Sequence, residues 1–303
     1  MSFLSYLTYF LVGYAALVAA LFMLSAVVPK AAFAARSLAA YISLIICAIY
    51  GVLASIALRL VGRVQIAQWT TARAFKYVMA TTTGITFEVE DPGRRLETVR
   101  PAVFIGNHQS ELDVLMLGCM FPKYCSVTAK KNLKKVPFLG WYMALSGTVF
   151  IDRQNSKDAR AAMAGAADEI QRKRQSVYMF PEGTRSYAKD PTLLPFKKGA
   201  FHLAVQAGVP IVPVVVANYS HVLYIKNLVF NSGKIPVKVL DPIPTTGLTA
   251  EDVDELTRST RELMLKEIVM LTEKAQGKPI AMPAQSNTDG VVHASGVDAT
   301  LSR

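Results

Sequence analysis

The sequence predicts an α/β domain with a largely parallel sheet, preceded by two apolar helices near the N-terminus. Two observations predict it. From residue 99 onward short β-type runs alternate with helical stretches, and the two long uncharged runs lie within the first 58 residues. Alternation of this kind favours a layered domain with parallel strands, because each helix crosses a face of the sheet before the next strand. The 303 residues can hold one sizeable domain and its attachments.

The uncharged runs cover residues 1–29 and 37–58. Each is long enough to cross a bilayer core, which takes about 20 apolar residues. Lys30 and Arg36 bracket a short link at residues 31–35, so the runs are expected to form a helical hairpin that either spans the bilayer or dips into one leaflet. The alternative for the first run is a cleaved signal peptide, but its length and the lack of a preceding basic segment favour an uncleaved anchor.

Residues 60–79 form the next predicted element, an amphipathic helix. Arg59, Arg63, Thr70 and Arg73 recur at helical spacing, and apolar side chains occupy another side. The helix lies either in the headgroup region of a membrane or over the core of the domain, and the pattern does not separate these alternatives. Hairpin and helix together make a predicted membrane-anchoring region at residues 1–80.

The predicted α/β domain follows at residues 81–274. Its strands are predicted at residues 86–90, 103–105, 126–129, 149–151, 177–180, 211–216 and 235–240. Its helices are predicted at residues 112–120, 159–173, 197–207 and 249–274, the last with a capping-box-like start at residues 249–252. Residues 275–303 are poor in large apolar groups, which predicts a disordered tail.

The formal charge of +11 favours an anionic partner. Nucleic acid is one candidate, but no zinc-finger, RNP or basic-zipper pattern accompanies the charge. A phospholipid surface and polyanionic substrates are therefore expected, and no nucleic acid. Cys47, Cys119 and Cys125 suggest neither a disulfide framework nor a C-x2-C ligand pair, so no metal site is expected.

His108 and Asp113 stand five residues apart, directly after the predicted strand 103–105. A histidine held by a carboxylate can remove a proton from an alcohol near neutral pH. Within one regular helix this spacing would point the two side chains in different directions, so it predicts His108 on the strand-to-helix turn and Asp113 in the first helical turn. The alternative is a core histidine, with Asp113 in a capping box with Ser110.

Three further blocks follow at residues 147–153, 180–185 and 209–213. With residues 107–113 they resemble the glycerolipid acyltransferase family, and within it the 1-acyl-glycerol-3-phosphate acyltransferases, over about residues 104–216. Residues 121–126 and 136–141 look most like the fungal enzymes. The resemblance implies a layered domain of glycerolipid-acyltransferase type. It also implies acyl transfer from acyl-CoA to the sn-2 hydroxyl of lysophosphatidic acid, which gives phosphatidic acid.

The resemblance further implies roles for individual residues. His108 is expected to be the general base, and Asp113 the carboxylate that orients its ring and balances its charge. Glycerol-phosphate binding falls on two of the blocks, at Arg153, Glu182, Gly183, Thr184 and Arg185. Arginine suits a phosphate because its fork donates two parallel hydrogen bonds, and Glu182 is expected to orient Arg185 or the glycerol hydroxyl. The alternative is a surface salt bridge between Glu182 and Arg185.

No cofactor is required in this interpretation, since acyl-CoA is a substrate. The expected location is the endoplasmic reticulum membrane with the catalytic domain facing the cytosol, an orientation that basic residues after the second run favour. The nearest alternative is a sibling enzyme that uses another lysophospholipid or glycerol 3-phosphate. A non-catalytic membrane scaffold is disfavoured because the polar residues of the blocks are all present. An esterase is disfavoured because no G-x-S-x-G elbow surrounds a serine.

Overall fold

A computed structural model describes residues 2–152 and 156–282 of the chain. Its helices are α1 (Phe3–Leu24), α2 (Pro29–Leu60), α3 (Ala67–Thr83), α4 (Arg95–Thr98), α5 (Asp113–Met120), α6 (Leu139–Leu145), α7 (Ser156–Lys173), α8 (Gly199–Ala207) and α9 (Val253–Gln276). Its strands are β1 (Ile85–Glu90), β2 (Val103–Gly106), β3 (Cys125–Lys130), β4 (Val149–Ile151), β5 (Ser176–Met179), β6 (Ile211–Val216), β7 (Leu223–Tyr224), β8 (Val229–Phe230) and β9 (Gly233–Val239).

The main sheet of the described chain has the strand order β1-β9-β6-β2-β5-β3-β4. Neighbouring strands run parallel at each of these pairings except β6 with β9. The predicted largely parallel sheet is thereby confirmed. Strands β2, β5 and β6 are buried at every position. They read as continuous apolar runs because helices cover both faces of a parallel sheet.

Two apolar cores lie on the two faces of this sheet. Successive side chains of a strand point to opposite faces, so Phe104 enters one core and Val103 and Ile105 enter the other. Helices α3 and α5 cover the first core, and helices α7, α8 and α9 cover the second. The carboxyl end of β2 therefore emerges from the middle of the domain, between two packed layers.

The N-terminal helices differ from the prediction in their boundaries. The turn between α1 and α2 lies at residues 25–28, and the predicted link at residues 31–35 is inside α2. Pro29 explains the early start of α2, because its fixed φ and missing N–H suit the first helical position. Tyr14 Oη donates a hydrogen bond to the Leu38 carbonyl at 2.7 Å, as expected of an antiparallel hairpin. By length and composition, both helices could cross a membrane.

Helix α2 is also a packed part of the domain. Small side chains recur on one buried side, at Ala31, Ala35, Ala39, Ser43, Cys47, Gly51 and Ser55. The space beside them is tight, since a Cβ on Gly51 would lie 2.5 Å from the ring of Tyr142. The Arg36 guanidinium donates to the carbonyls of Thr83 and Phe230. In contrast, no residue of α1 is buried.

The helix predicted at residues 60–79 begins later, at Ala67. Gly62, with φ +70°, follows the end of α2, and a 3-10 turn at Val64–Ile66 precedes α3. Phe75 and Met79 of α3 lie in the first core. Of the two positions that the sequence left open for this helix, the structure therefore has the one over the core.

The remaining boundaries shift by a few residues. The last helix begins at Val253 rather than at residue 249, and the capping-box-like bonds form in the turn before it. Asp252 Oδ2 accepts the Thr249 N–H at 2.7 Å, and Thr249 Oγ1 accepts the Glu251 N–H at 3.3 Å. Helix α9 extends to Gln276, two residues into the predicted tail, and residues 283–303 of that tail lie outside the described residues.

Candidate active site

The site begins where β2 ends. Residues 107–112 carry the chain from β2 to α5, and Asp113 is the first residue of that helix. His108 Nδ1 lies 2.7 Å from Asp113 Oδ2. The predicted placement, with the histidine on the strand-to-helix turn and the carboxylate in the first helical turn, is therefore confirmed.

Protein donors surround the Asp113 carboxylate, whose side chain is 1% exposed. Oδ2 accepts the N–H groups of Gln109 at 2.7 Å and Ser110 at 3.2 Å, and Oδ1 accepts the Tyr219 hydroxyl at 2.7 Å. This set of donors fits an ionised carboxylate, which can only accept. His108 Nδ1 then carries a proton and donates it toward Asp113, which leaves Nε2 of the ring as an acceptor.

The His108 ring can be reached from outside, whereas Asp113 cannot. The His108 side chain is 19% exposed. Its ring stacks on Phe180, just past β5, with centroids 4.1 Å apart and planes 18° from parallel. The stack and the bond to Asp113 hold the imidazole from two directions. A neutral imidazole held in this way has the minimum equipment of a general base.

Glu182 braces the loop that carries His108. Its carboxylate is buried, and Oε1 accepts the His108 N–H at 2.6 Å while Oε2 accepts the Leu194 N–H at 2.9 Å. Burial raises the pKa of Glu182 to about 7, against the opposing effect of the two N–H groups. The expected contact with Arg185 is not among the hydrogen bonds or ion pairs of the described residues. The reason is that both oxygens of Glu182 face backbone N–H groups instead.

The turn after β5 lies against the His108 loop. Its residues Ser186 and Tyr187 donate their N–H groups to the carbonyls of His108 and Gln109, at 2.9 and 3.0 Å. Gly183 allows the turn, because it has φ +71° and a Cβ there would lie 2.9 Å from Lys197 Cε. This pairing of two loops brings the predicted residues of the turn after β5 to His108, with Glu182 74 positions away in the sequence.

Arg185 stands on the open side of the site. Its Nη1 donates to Glu111 Oε1 at 2.9 Å and lies 3.2 Å from Tyr187 Oη, which itself donates to Glu111 Oε1 at 2.7 Å. Arg185 Nε is buried and has no hydrogen-bond partner among the described residues. The salt bridge expected as the alternative role for Arg185 therefore exists, but with Glu111 in place of Glu182.

The structure thus brings together most of the predicted site residues, which are His108, Asp113, Glu182, Gly183, Thr184 and Arg185. Thr184 is exposed in the same turn. Arg153, the other predicted phosphate ligand, lies outside the described residues. No three His, Cys, Asp or Glu side chains within residues 2–152 and 156–282 could together hold a metal ion.

Sequence reasoning missed the residues that hold the His108 loop in place. Asn107 clasps Val216 at the end of β6, accepting its N–H at 2.8 Å and donating to its carbonyl at 3.0 Å. Gln109 Nε2 donates to the Ala217 carbonyl at 2.9 Å. Both side chains belong to the block 107–113 and could have been suspected as polar residues next to His108. Tyr219 gave no such signal, because it lies 106 positions from Asp113.

A cleft of about 450 Å³ opens beside this loop. Gln109, Ser110 and Tyr187 line it on one side, and Tyr219, Leu223 and Ile225 line it beyond β6. Its volume lies in the range of small-molecule sites, and a mostly apolar wall with a few polar groups is typical of them.

Comparisons with known proteins agree with this geometry. A family model described as Acyltransferase matches residues 87–217. The 1-acyl-sn-glycerol-3-phosphate acyltransferase of Saccharomyces cerevisiae is 47% identical over 236 residues, which cover 77% of this chain and 77% of the yeast protein. The human 1-acyl-sn-glycerol-3-phosphate acyltransferase beta is 43% identical over 218 residues, which cover 72% of this chain and 76% of the human protein.

A solved structure confirms the fold. The crystal structure of the 1-acyl-sn-glycerophosphate (LPA) acyltransferase from Thermotoga maritima matches with a TM-score of 0.54 and 22% identity. The match covers 77% of this chain and 97% of the bacterial chain. Identity to the yeast and human proteins over three quarters of their length goes beyond a shared fold. The chain belongs to the 1-acyl-sn-glycerol-3-phosphate acyltransferase family.

Proposed function

We propose that this acyltransferase moves an acyl chain from acyl-CoA to the sn-2 hydroxyl of 1-acyl-glycerol 3-phosphate, giving phosphatidic acid and free CoA. The observation that carries the proposal is the 2.7 Å contact between His108 Nδ1 and the buried Asp113 carboxylate, next to a ring that remains partly exposed. The relatives' names supply the acceptor, since those proteins are 1-acyl-sn-glycerol-3-phosphate acyltransferases.

His108 is the general base in this reaction. Its Nε2 takes the proton of the sn-2 hydroxyl as the alcohol oxygen attacks the thioester carbonyl carbon. The C–O bond forms, the C–S bond breaks, and the imidazolium returns the proton to the CoA thiolate. Asp113 balances the transient positive charge of the imidazolium. No covalent acyl-enzyme is needed, because the thioester is already activated.

Arg185 is the proposed ligand of the acceptor phosphate, together with Gly183, Thr184 and Arg153. The support is its position beside His108 and a buried Nε–H without a partner among the described residues. A phosphate oxygen would accept from such a donor, which is otherwise costly to bury. Glu182 acts at one remove, because its carboxylate holds the His108 backbone rather than reaching the phosphate.

The cleft beside the loop is wide enough for part of a lipid chain, and its apolar walls at Leu223 and Ile225 suit one. In this proposal neither residues 209–213 nor the lining of the cleft supplies a base or a nucleophile. The protein requires no cofactor, since the thioester of acyl-CoA supplies the driving force.

Helix α1 is the proposed membrane anchor, because none of its residues is buried and several large apolar side chains are exposed. Helix α2 shares the membrane on its exposed side and holds the domain on its packed side. We place the protein in the endoplasmic reticulum membrane with its catalytic domain in the cytosol, as the basic residues Arg59, Arg63, Arg73 and Lys76 on the catalytic side favour. Protease accessibility of a tag on either terminus in intact microsomes tests this orientation.

An assay of the purified protein in liposomes tests the proposed reaction. Donors are acyl-CoA and acyl carrier protein thioesters, and acceptors are 1-acyl-glycerol 3-phosphate, glycerol 3-phosphate and lysophosphatidylcholine. We expect CoA release and phosphatidic acid, measured by a thiol reagent and mass spectrometry, with acyl-CoA and 1-acyl-glycerol 3-phosphate. A faster reaction with another donor or acceptor contradicts the proposal and identifies the sibling enzyme.

The His108→Ala variant tests the general base in the same assay. Loss of general-base help should lower kcat by roughly 10²- to 10⁴-fold. His202→Ala is the matched control, because His202 is exposed on α8 and should leave kcat unchanged. Turnover of His108→Ala near that of the control would remove His108 from the chemistry.

A further inference from the structure

Tyr219 presents a buried phenol to the candidate site from beyond β6. It lies three residues after the end of that strand and is 1% exposed. Its ring meets the edge of Phe87 on β1, with centroids 6.3 Å apart and planes at 89°. The hydroxyl is inside the protein, where a polar group is retained only if it has a partner.

The contacts of the Tyr219 hydroxyl assign the donor and the acceptor in each of its hydrogen bonds. Tyr219 Oη lies 2.7 Å from Asp113 Oδ1 and 3.0 Å from Ser110 Oγ. Because an ionised carboxylate only accepts, the phenol donates to Asp113, and Ser110 donates to the phenol oxygen. Ser110 Oγ in turn accepts the Leu112 N–H at 3.3 Å. A directed chain of donors therefore ends on the carboxylate oxygen that His108 does not touch.

The phenol is held firmly in this position. Gln109 Oε1 accepts the Tyr219 N–H at 3.4 Å, and Asn107 clasps both backbone groups of Val216, three residues earlier. The chain that leaves β6 is thus hydrogen-bonded to Asn107 and Gln109, the two neighbours of His108 in the sequence. Burial and the negative charge of Asp113 keep the pKa of Tyr219 well above its usual range, so the phenol keeps its proton.

From this arrangement we infer that Tyr219 is a positioning residue for the acyl transfer, acting through Asp113. Its hydroxyl fixes the rotation of the carboxylate and reduces the proton affinity of Oδ1. The Nδ1 proton then stays on His108, and Nε2 faces the acceptor hydroxyl as a base. The inference rests on the roles proposed above for His108 and Asp113.

Other titratable groups also act on this cluster. Glu182 bonds to the His108 backbone, and the charge of Asp113 acts on Glu182, Arg185 and Tyr178. A pH profile of the wild type therefore contains several ionisations. The informative quantity is the difference between two variants that both keep Asp113, Glu182 and Arg185 and that each lack one buried phenol hydroxyl.

The chain offers a matched pair of buried tyrosines for this comparison. Tyr178 and Tyr219 are both fully buried in the same core, but Tyr178 Oη has no hydrogen-bond partner among the described residues. Each is changed to phenylalanine, which keeps the ring. Full-length variants are purified, their thermal unfolding is compared, and kcat/KM for 1-acyl-glycerol 3-phosphate is measured against pH.

We expect Tyr219→Phe to lower kcat on the pH plateau on the order of tenfold to a hundredfold, as loss of a hydrogen bond to a charged group would. The acid limb of kcat/KM should move roughly one unit to higher pH, because the carboxylate without its phenol stabilises the imidazolium more. Tyr178→Phe should match the wild type in both. Ser110→Ala, which weakens the donor chain one step earlier, should move the limb in the same direction by less.

An unchanged plateau and acid limb in Tyr219→Phe would overturn the inference. So would a fall of equal size at every pH with a lower melting temperature, because that result indicates packing alone. His108→Ala in the same assay distinguishes failure of this inference from failure of the proposed function. If it is inactive while Tyr219→Phe behaves as the wild type, the general base stands and only the role of Tyr219 fails. An active His108→Ala removes the general base itself.

Discussion

The candidate site has an inner half around Asp113 and Glu182 and an outer half around Arg185, and the two differ in how their polar groups are paired. In the inner half, both oxygens of Asp113 and both oxygens of Glu182 accept hydrogen bonds from the protein. In the outer half, Arg185 shares one nitrogen between Glu111 and Tyr187 at the surface, and its Nε has no partner among the described residues. The inner half is already fully hydrogen-bonded within the protein, whereas Arg185 would have to exchange partners to bind a phosphate in its proposed role.

In the proposed reaction this difference corresponds to a division between catalysis and recognition. Groups that assist a chemical step gain most from being fixed in advance, because they then cost no reorganisation during the reaction. A ligand-binding arginine gains from a weak surface partner that keeps it ordered and is easily replaced. Changes in the inner half should therefore act on kcat, and changes in the outer half on KM for the acceptor.

Asp113→Asn should have the largest effect. The amide cannot balance an imidazolium, and its NH2 group would meet either the two backbone N–H donors at Oδ2 or the Tyr219 hydroxyl at Oδ1. We expect kcat to fall by about 10³-fold or more, comparable to the roughly 10⁴-fold loss for the equivalent change in serine proteases. Asp168→Asn, exposed on α7, is the control and should be neutral. Measurable turnover within tenfold of that control would contradict a preorganised inner half.

Glu182→Gln should come next. A glutamine has one acceptor oxygen, so either the His108 N–H or the Leu194 N–H is left facing an NH2 group. A buried donor left unpaired costs about 1–3 kcal/mol. This cost should displace the His108 backbone and lower kcat roughly 10- to 100-fold. Glu267→Gln is the control, because Glu267 on α9 is a buried glutamate that pairs with Lys238 on β9. A change in acceptor KM alone would move Glu182 to the outer half.

The same residue predicts a pH dependence of stability. Its folded pKa of about 7 lies above the ordinary value of 4.5 because burial disfavours the charge. Between these values the folded protein holds a proton that the unfolded chain has lost, so this group's contribution to stability falls as pH rises through about 4.5 to 7. The slope is at most about 1.4 kcal/mol per pH unit. The free energy of unfolding of the wild type, measured by thermal unfolding across this window, should fall with pH by up to that slope relative to Glu182→Gln. Parallel pH dependences in the two proteins would contradict the raised pKa of Glu182.

Arg185→Lys should act on recognition. The lysine keeps the charge but loses the fork, so KM for 1-acyl-glycerol 3-phosphate should rise about tenfold while KM for acyl-CoA and kcat change little. Arg258→Lys on α9 is the control, because Arg258 also pairs with surface glutamates but lies on another element. An equal rise in both KM values would take Arg185 out of the acceptor site.

Glu111→Gln should have the smallest effect, in the opposite direction. In the proposed recognition Glu111 would compete with a phosphate for Arg185, and an exposed ion pair is worth about 0.2–1 kcal/mol. Its removal should lower the acceptor KM by roughly two- to fivefold at low salt, with less effect at high salt. Glu262→Gln, which removes a partner of Arg258, should leave KM unchanged. A higher KM in Glu111→Gln would mean that Glu111 orders Arg185 for binding rather than competing for it.

Local patterns in the sequence predicted the strands of the main sheet, the helix after β2, and the placement of His108 before the start of that helix and of Asp113 in its first turn. These features follow from local causes, since strand and helix periodicity and a five-residue spacing all act over short distances. The family blocks also brought Glu182 and Arg185 into the site. Where local signals were ambiguous, as at residues 31–35 and 60–66, the boundaries were wrong, because Pro29 and Gly62 act on helix ends more strongly than charge does.

The hydrogen-bond partner of each polar group, in contrast, depends on the tertiary fold. Glu182 faces the backbone of His108 rather than Arg185, Arg185 faces Glu111, and Tyr219 completes the shell of Asp113. Likewise, two apolar helices that look alike in sequence differ in burial, because α2 packs against α3 whereas no residue of α1 is buried. Parallel strands bring residues from about 70 to 110 positions apart to one edge of a sheet. The spacing of residues in the sequence does not predict which of those neighbours will form a hydrogen bond with a given buried donor or acceptor.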